Sequence, residues 1–209
     1  MNENPLQSGA DWLSIRTGAL TASRMADAMD YRKDGKPGAK RIALMKIILA
    51  ERMTGDAWNG FVNDAMRWGI DTEAAARAAY ELRTGNFVTL MGFVQHPTID
   101  YLGASPDGAV GADGLVEFKC PATTTHIEYM ELEEAPEQYR PQMTLQLLST
   151  GRQWCDFVSF DPRIKKESRQ MVVRRFDPDQ EYRDMIEKVA REFLAEVEAR
   201  FEAINRETA

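Results

Sequence analysis

Cysteine and histidine are scarce in this sequence of 209 residues, which contains two of each. With so few thiol and imidazole groups we expect no zinc-type ligand cluster, and we expect any bound metal to be held by oxygen. The two cysteines, Cys120 and Cys155, are too few for a disulfide framework. We expect both to be reduced thiols packed in the core.

Long hydrophobic runs are also missing. The most apolar stretch, IALMKIILAERM, is interrupted by Lys46 and is too short to span a membrane. The opening residues, MNENPLQSGADW, are too polar for a signal peptide, so we expect a cytoplasmic protein. Hydrophobic residues make up 44% of the chain, which is ordinary for a folded domain and unlike a disordered one. A domain of this length can bury a functional site.

Positive charge is in deficit, since 26 Lys and Arg face 33 Asp and Glu and give a net charge of −7. This balance argues against a protein that coats nucleic acid without discrimination. Residues 31–53 and 163–175 nevertheless hold seven and six basic residues, against two and one acidic residues. These two segments are either a phosphate-binding face or ordinary solvated surface, and composition leaves both interpretations open.

Hydrophobic spacing divides the chain into three parts. Residues 1–85 are predicted to be helical, with helices at GADWLSIRTG, TASRMADAM, GAKRIALMKIILAERMTG and NDAMRWGIDTEAAARAAYELRTG. Residues 86–176 contain alternating strand patterns, including NFVTLMGFVQHP and YLGASPDG, and two further helices at TTTHIEYMELEE and PEQYRPQMTLQLLSTG. Residues 177–209 form an acidic amphipathic helix. This order predicts a single α/β (α+β) domain, in which helices flank a small mixed sheet.

The strand pattern GLVEFKC places an acid and a base on one face. Alternation puts Glu117 and Lys119 on the side opposite Val116 and Phe118. Such a pair is commonly an exposed salt bridge on the solvated side of a sheet. Asp107, in the turn SPDG, precedes Glu117 by ten residues, so a tight hairpin would bring the two carboxylates together. Two adjacent carboxylates repel unless a cation lies between them, and oxygen ligands favour Mg²⁺ or Mn²⁺.

The residues around this pattern are more specific than its spacing. SPDG followed by GLVEFKCP resembles the core motif of the PD-(D/E)XK nucleases. Among them it is similar to the phage lambda exonuclease family, also described as YqaJ-type viral recombinase or alkaline exonucleases. The resemblance extends over about residues 11–200, through WLSIRTGALTASRM, RWGIDTEAAARAAYE and PQMTLQLLSTGRQWCDFVSFDPR. It implies a restriction-endonuclease-like core.

The resemblance implies roles for individual positions around the predicted metal. The metal ligands would be Asp107, Glu117, Glu73 and the backbone carbonyl of Phe118, with Lys119 as the catalytic lysine. Judged by its surroundings alone, Glu73 lies in an alanine-rich segment and is equally an exposed helix-favouring residue.

A predicted helix contributes a glutamine. Gln142 matches a catalytic helix glutamine of the family, and Gln146 shares its helical face. Many relatives have a further glutamine at the position of Thr144, so which glutamine acts in this chain stays open. Gln146 is equally an ordinary helix residue.

A second group of residues is implied to bind DNA. Arg16, Thr21 and Ser23 surround a glycine-containing turn, where hydroxyls and backbone N–H groups can hold an anion. In the family, the matching arginine and serine bind the 5′-phosphate of a DNA end, although Ser23 alone is more often only a helix cap. Met66 lies at the position where relatives have an apolar side chain that acts as a wedge and unstacks base pairs. Trp68 is better explained by core packing.

The resemblance implies a Mg²⁺-dependent exonuclease. Its site would hold two Mg²⁺ ions, and Mn²⁺ could take their place. It would digest one strand of linear double-stranded DNA from a phosphorylated 5′ end and leave a 3′ single strand for phage-type recombination. The resemblance further implies a homotrimeric ring and a single-strand annealing partner. The alternatives are a RecB-like or structure-specific endonuclease of the same fold and a catalytically silent DNA-end-binding protein.

Overall fold

The computed structural model describes residues 10–58 and 64–206. Seven α-helices lie within these residues, and three short 3-10 segments accompany them at Ala22–Arg24, Glu137–Tyr139 and Glu167–Arg169. The α-helices are α1 (Ala10–Arg16), α2 (Met25–Ala28), α3 (Ala39–Thr54), α4 (Asp64–Thr84), α5 (Thr123–Glu131), α6 (Arg140–Thr150) and α7 (Gln180–Arg206).

The described strands form two sheets. They are β1 (Leu20–Thr21), β2 (Val88–Thr89), β3 (Val94–Gln95), β4 (Leu102–Ala104), β5 (Gly108–Val110), β6 (Gly114–Lys119), β7 (Trp154–Phe160) and β8 (Met171–Phe176). The larger sheet has the order β2-β5-β6-β7-β8 and the smaller one β1-β4-β3. In the larger sheet β6 and β7 are parallel and the other pairs antiparallel, so it is a mixed sheet.

Helices cover both faces of the larger sheet. α4 packs Ala76 and Tyr80 against Val116, Phe118 and further apolar residues of β6 to β8. On the opposite face, α5 and α6 cover β6 and β7 through a second apolar cluster that includes Tyr129, Met143, Leu147 and Phe157. The α/β fold with flanking helices is therefore confirmed.

The helix α6 is buried on two sides. Its Met143 and Leu147 face the sheet, while Leu145 joins a cluster formed with α2, α3, β4 and α7. Seven of its eleven residues are buried, and Gly151 ends it with φ = 71°, in the left-handed region that glycine adopts without strain. A helix enclosed on both sides has side chains in fixed positions.

Three local predictions were wrong. NFVTLMGFVQHP contains two short strands in different sheets, β2 and β3, instead of a single strand. Leu20–Thr21, within the part predicted to be helical, is a strand, β1, which pairs in parallel with β4 about 80 residues later. The helix expected from Pro136 begins at Arg140, after a 3-10 turn. Each error concerns a short segment whose conformation depends on distant parts of the chain.

Cys120 and Cys155 are buried free thiols. Of the helices in the described part of the chain, none has both the length and the apolar character needed to cross a bilayer.

Replacing Phe193 tests whether α7 is part of the core. Phe193 is fully buried, so Phe193→Ala leaves a cavity and should lower the free energy of unfolding by about 3–5 kcal/mol. The same substitution at Phe87, which is 85% exposed, should cost less than about 0.5 kcal/mol. Urea denaturation followed by circular dichroism measures both, and equal small effects would show that α7 is peripheral.

Candidate active site

The hairpin of β5 and β6 brings Asp107 beside Glu117. Gly108 pairs with Val116, so Asp107, immediately before β5, lies level with the next residue of β6. Its Oδ2 accepts a hydrogen bond of 2.6 Å from the backbone N–H of Phe118. A Cβ on Gly108 would collide with the Val88 side chain, so glycine permits the close approach of β2 at this point.

The carbonyl of Phe118 points to the same side as Asp107. Within a strand the N–H and C=O of one residue point in the same direction, and the N–H of Phe118 points to the Asp107 carboxylate. The antiparallel register with β5 extends from Val110–Gly114 to Gly108–Val116. The Phe118 carbonyl therefore lies beyond the last residue pair of β5 and β6. It is on the same side of β6 as the Asp107 carboxylate.

Glu117 is 1% exposed, so the alternative of an exposed salt bridge on the solvated side of the sheet does not apply to it. Its Oε1 accepts hydrogen bonds from Lys119 Nζ and Gln142 Nε2, both at 2.5 Å. Its Oε2 accepts a hydrogen bond of 2.6 Å from Gln146 Nε2. A buried carboxylate requires such donors, because an unpaired charge in the interior is very costly.

Lys119 is held from two sides. Besides its ion pair with Glu117, its Nζ lies 5.0 Å from the centre of the Tyr139 ring, an arrangement typical of a cation–π contact. The Tyr139 ring stacks on Phe157 with 5.4 Å between centres. Burial lowers the pKa of Lys119, but the charges of Glu117 and Asp107 outweigh it and raise the pKa above its usual value. Lys119 is therefore a cationic donor in this arrangement.

Glu73 on α4 approaches the same group. Burial and the charge of Glu117 raise its pKa. The pKa of Asp107 is raised well above its usual value by burial and by the charges of Glu117 and Glu73. The negative charge of each carboxylate makes ionisation of the other two less favourable. A cation bound between the three would offset this repulsion.

The donor chemistry of this group fits a divalent cation. Carboxylates of Asp107, Glu117 and Glu73 and the carbonyl of Phe118 are the hard oxygen ligands that Mg²⁺ and Mn²⁺ prefer. As the side chains stand, with Glu117 bonded to nitrogen donors, no three His, Cys, Asp or Glu in residues 10–58 and 64–206 are arranged to hold a metal together.

The predicted phosphate-binding residues lie at a second location, near the end of α1. Burial and the neighbouring charge of Arg24 lower the pKa of Arg16 to about 10, so Arg16 stays cationic at neutral pH. Thr21 is buried and its Oγ1 lies 3.3 Å from Oγ of the exposed Ser23. Arg24 pairs with the buried Glu51 at 2.6 Å. The structure thus brings Arg16, Thr21 and Ser23 into one neighbourhood.

Helix α6 links the two locations. The 3-10 segment with Ser23 packs directly on α6, whose Gln142 and Gln146 contact Glu117. Ser23, one of the phosphate-binding candidates, therefore lies on the same helix support as Glu117.

Met66 and Trp68 lie on α4. The side chain of Met66 is outside the described residues, so its role as a wedge stays a prediction. Trp68 is half-buried and packs against the α4 face of the sheet, under the guanidinium of Arg163 at 4.4 Å, as the core-packing interpretation expects.

Several arginines of the two basic segments are bonded within the chain. Arg41 and Arg52 are almost fully buried and pair with Glu196 and Glu198 of α7 at 2.6 and 2.7 Å. Arg163 pairs with Asp161 at 2.7 Å, and Arg175 with Asp156 at 2.9 Å. For these four residues the positive charge is paired with an acid of the chain.

Three residues near the two locations were not singled out as functional by their sequence pattern. Tyr139 precedes Gln142 by three positions, a helical spacing that would have placed it on the same side. Arg24 and Glu51 are 27 positions apart, and sequence periodicity contains no signal for such a pair.

Comparison with solved structures gives two close likenesses. An alkaline exonuclease from Laribacter hongkongensis and its complex with dAMP are each 41% identical to this chain, with TM-scores of 0.87 and 0.88. Each alignment covers 95% of this chain and 97% of the other.

A phage-related exonuclease from Haemophilus somnus 129PT shares the fold, with a TM-score of 0.69 at 10% identity. The alignment covers 91% of this chain and 96% of the other.

No curated protein matches the sequence. The family described as the YqaJ-like viral recombinase domain matches residues 11–153, well over half of the chain. Together with the 41% identity to an alkaline exonuclease, this match confirms the resemblance seen in the sequence: the chain belongs to the YqaJ-like viral recombinase family.

Proposed function

We propose that this chain, a nuclease by its family, is a Mg²⁺-dependent exonuclease that digests one strand of linear double-stranded DNA from the 5′ end. The product would carry a 3′ single-stranded overhang for phage-type recombination by annealing. The observation that carries the proposal is the convergence of Asp107, Glu117 and Lys119 at the end of one strand pair. It occurs in a chain 41% identical to a protein described as an alkaline exonuclease.

Asp107, Glu117, Glu73 and the Phe118 carbonyl would hold the metal. A bound divalent cation supplies Lewis acidity at the phosphodiester and lowers the pKa of a water nucleophile. Mn²⁺ fits the same oxygen ligands, and two ions are proposed, as the family resemblance implies.

Lys119 acts on the reacting phosphate, whereas Gln142 acts through Glu117. The ammonium of Lys119, oriented by the Tyr139 ring, donates to phosphate oxygens on which negative charge increases during hydrolysis. Gln142 lies against the same Glu117 oxygen as Lys119 and keeps that carboxylate turned toward the site. Donors fixed before the reaction need no reorganisation when charge develops.

Arg16, Thr21 and Ser23 would hold the terminal 5′-phosphate. A guanidinium can give two parallel N–H donors to phosphate oxygens, and hydroxyls can complete the cradle. Because α6 contacts both the segment with Ser23 and Glu117, binding of the terminal phosphate there would select which phosphodiester is cut. A homotrimeric ring around DNA and a single-strand annealing partner are part of the proposal.

The form of DNA that is degraded distinguishes the candidate functions. With Mg²⁺, linear duplex labelled at its 5′ ends should release the label early, while covalently closed duplex stays intact. Early release from 3′ labels would contradict the polarity. Loss of closed DNA would instead indicate an endonuclease, and loss of neither form a silent DNA-binding protein. Gel electrophoresis with chelator controls gives the answer.

Replacing Glu117 tests the carboxylate group. Glu117→Gln removes a ligand charge with little change in volume, so cleavage should fall at least about 100-fold while DNA binding stays measurable. Glu131→Gln, the same substitution on the exposed side of α5, is the matched control and should keep wild-type activity. Gel-based nuclease and DNA-binding assays measure the two properties. Substantial cleavage by purified Glu117→Gln would disprove the assignment.

Replacing Arg16 tests the phosphate cradle. Wild-type protein should digest 5′-phosphorylated duplex faster than the same duplex with 5′-hydroxyl ends. Arg16→Ala should reduce the ratio of these two digestion rates about 10-fold, because digestion of the phosphorylated duplex becomes slower. Arg200→Ala, at an exposed position of α7, should leave the ratio unchanged. If Arg16→Ala keeps the full preference, the phosphate is bound elsewhere.

A further inference from the structure

Gln146 is a fully buried polar residue with half of its amide unused. Its Nε2 donates to Glu117 Oε2 at 2.6 Å, whereas its Oε1 has no hydrogen-bond partner among residues 10–58 and 64–206. A buried acceptor without a partner is destabilising, and such groups in folded proteins call for an explanation. A methionine would fill a similar space without leaving an oxygen unpaired. Packing alone therefore does not explain a glutamine here.

The orientation of the amide is fixed by charge. If the amide turned over, Oε1 would face the Glu117 carboxylate and two acceptors would meet. The nitrogen must therefore point to Glu117, and the oxygen is left buried. The side chain is oriented toward Glu117 at the expense of its own second hydrogen bond.

The two oxygens of Glu117 differ in their support. Oε1 accepts from both Lys119 and Gln142, so losing either donor leaves the other. Among the contacts of the described residues, Oε2 accepts from Gln146. Loss of Gln146 would free the carboxylate to rotate about its terminal bond, because one oxygen alone would be held.

We propose that Gln146 is a positioning residue that fixes the rotation of the Glu117 carboxylate through Oε2, in tandem with Gln142 on Oε1. This inference rests on the proposed function, in which Glu117 holds a metal. Gln146 acts through Glu117 and touches neither substrate nor metal. Partners of metal-binding carboxylates commonly affect metal affinity or activity by 10- to 100-fold when removed.

The experiment compares Gln146→Met with Ser149→Ala. Ser149 is a matched control because it lies on the same helix, is buried, and also has an oxygen without a partner. Gln146→Met should lower kcat on linear duplex about 10-fold or more and leave KM for DNA ends within about twofold. Ser149→Ala should change neither. Mn²⁺ binding without DNA, followed by the paramagnetic resonance of free Mn²⁺, should weaken by about 10-fold in Gln146→Met alone.

Folding is measured for each variant, because the proposal requires Gln146 to be dispensable for folding. Gln146→Met should keep its thermal midpoint within about 4 °C of wild type. A second variant, Gln146→Asn, keeps the amide but is one methylene too short to reach Glu117, and should show the same loss of Mn²⁺ affinity. If both variants fail to fold, Gln146 is a structural residue and the proposal is wrong.

The outcomes separate this inference from the proposed function. Wild-type kcat and Mn²⁺ affinity in folded Gln146→Met, together with an inactive Glu117→Gln, would overturn the inference alone. An active Glu117→Gln would overturn the metal site and the inference with it.

Discussion

The buried carboxylate of Glu117 is the constraint on which this structure depends. At 1% exposure it has lost its hydration and must be compensated by donors from the protein. Those donors come from β6 itself and from α6. The helix must therefore pack on the strand in a single relative position, or register. The packing of α6 between the sheet and the α2, α3 and α7 layer supplies that register.

This constraint also connects the two locations of interest. Because α6 contacts the 3-10 segment at Ser23 on one side and Glu117 on the other, displacement of α6 would alter both. α7 packs against α6 and pairs its acids with Arg41 and Arg52, which in turn fixes α3. The acidic C-terminal helix is thus a structural support for the site, although it contributes no residue to it.

Sequence patterns predicted the parts of the site that depend on local geometry. A tight hairpin brought Asp107 to Glu117, and helical spacing put Gln142 and Gln146 on one face. The approach of Glu73 and the Arg24–Glu51 pair could not be predicted from spacing, because tertiary packing joins positions far apart in the chain. The same holds for β1, a two-residue strand whose conformation is set by its parallel partner β4.

Ion pairs within the chain reduce the number of basic residues that are available to bind DNA. Four arginines of the two basic segments are neutralised by acids of the chain, whereas Lys33, Lys40, Lys46, Lys165 and Lys166 remain exposed. With a net charge of −7, DNA would be repelled over much of the surface. Binding at a phosphate-specific pocket and at a cation held by carboxylates needs no large basic surface. The charge balance therefore agrees with the proposal that this chain binds a DNA end and does not coat a duplex.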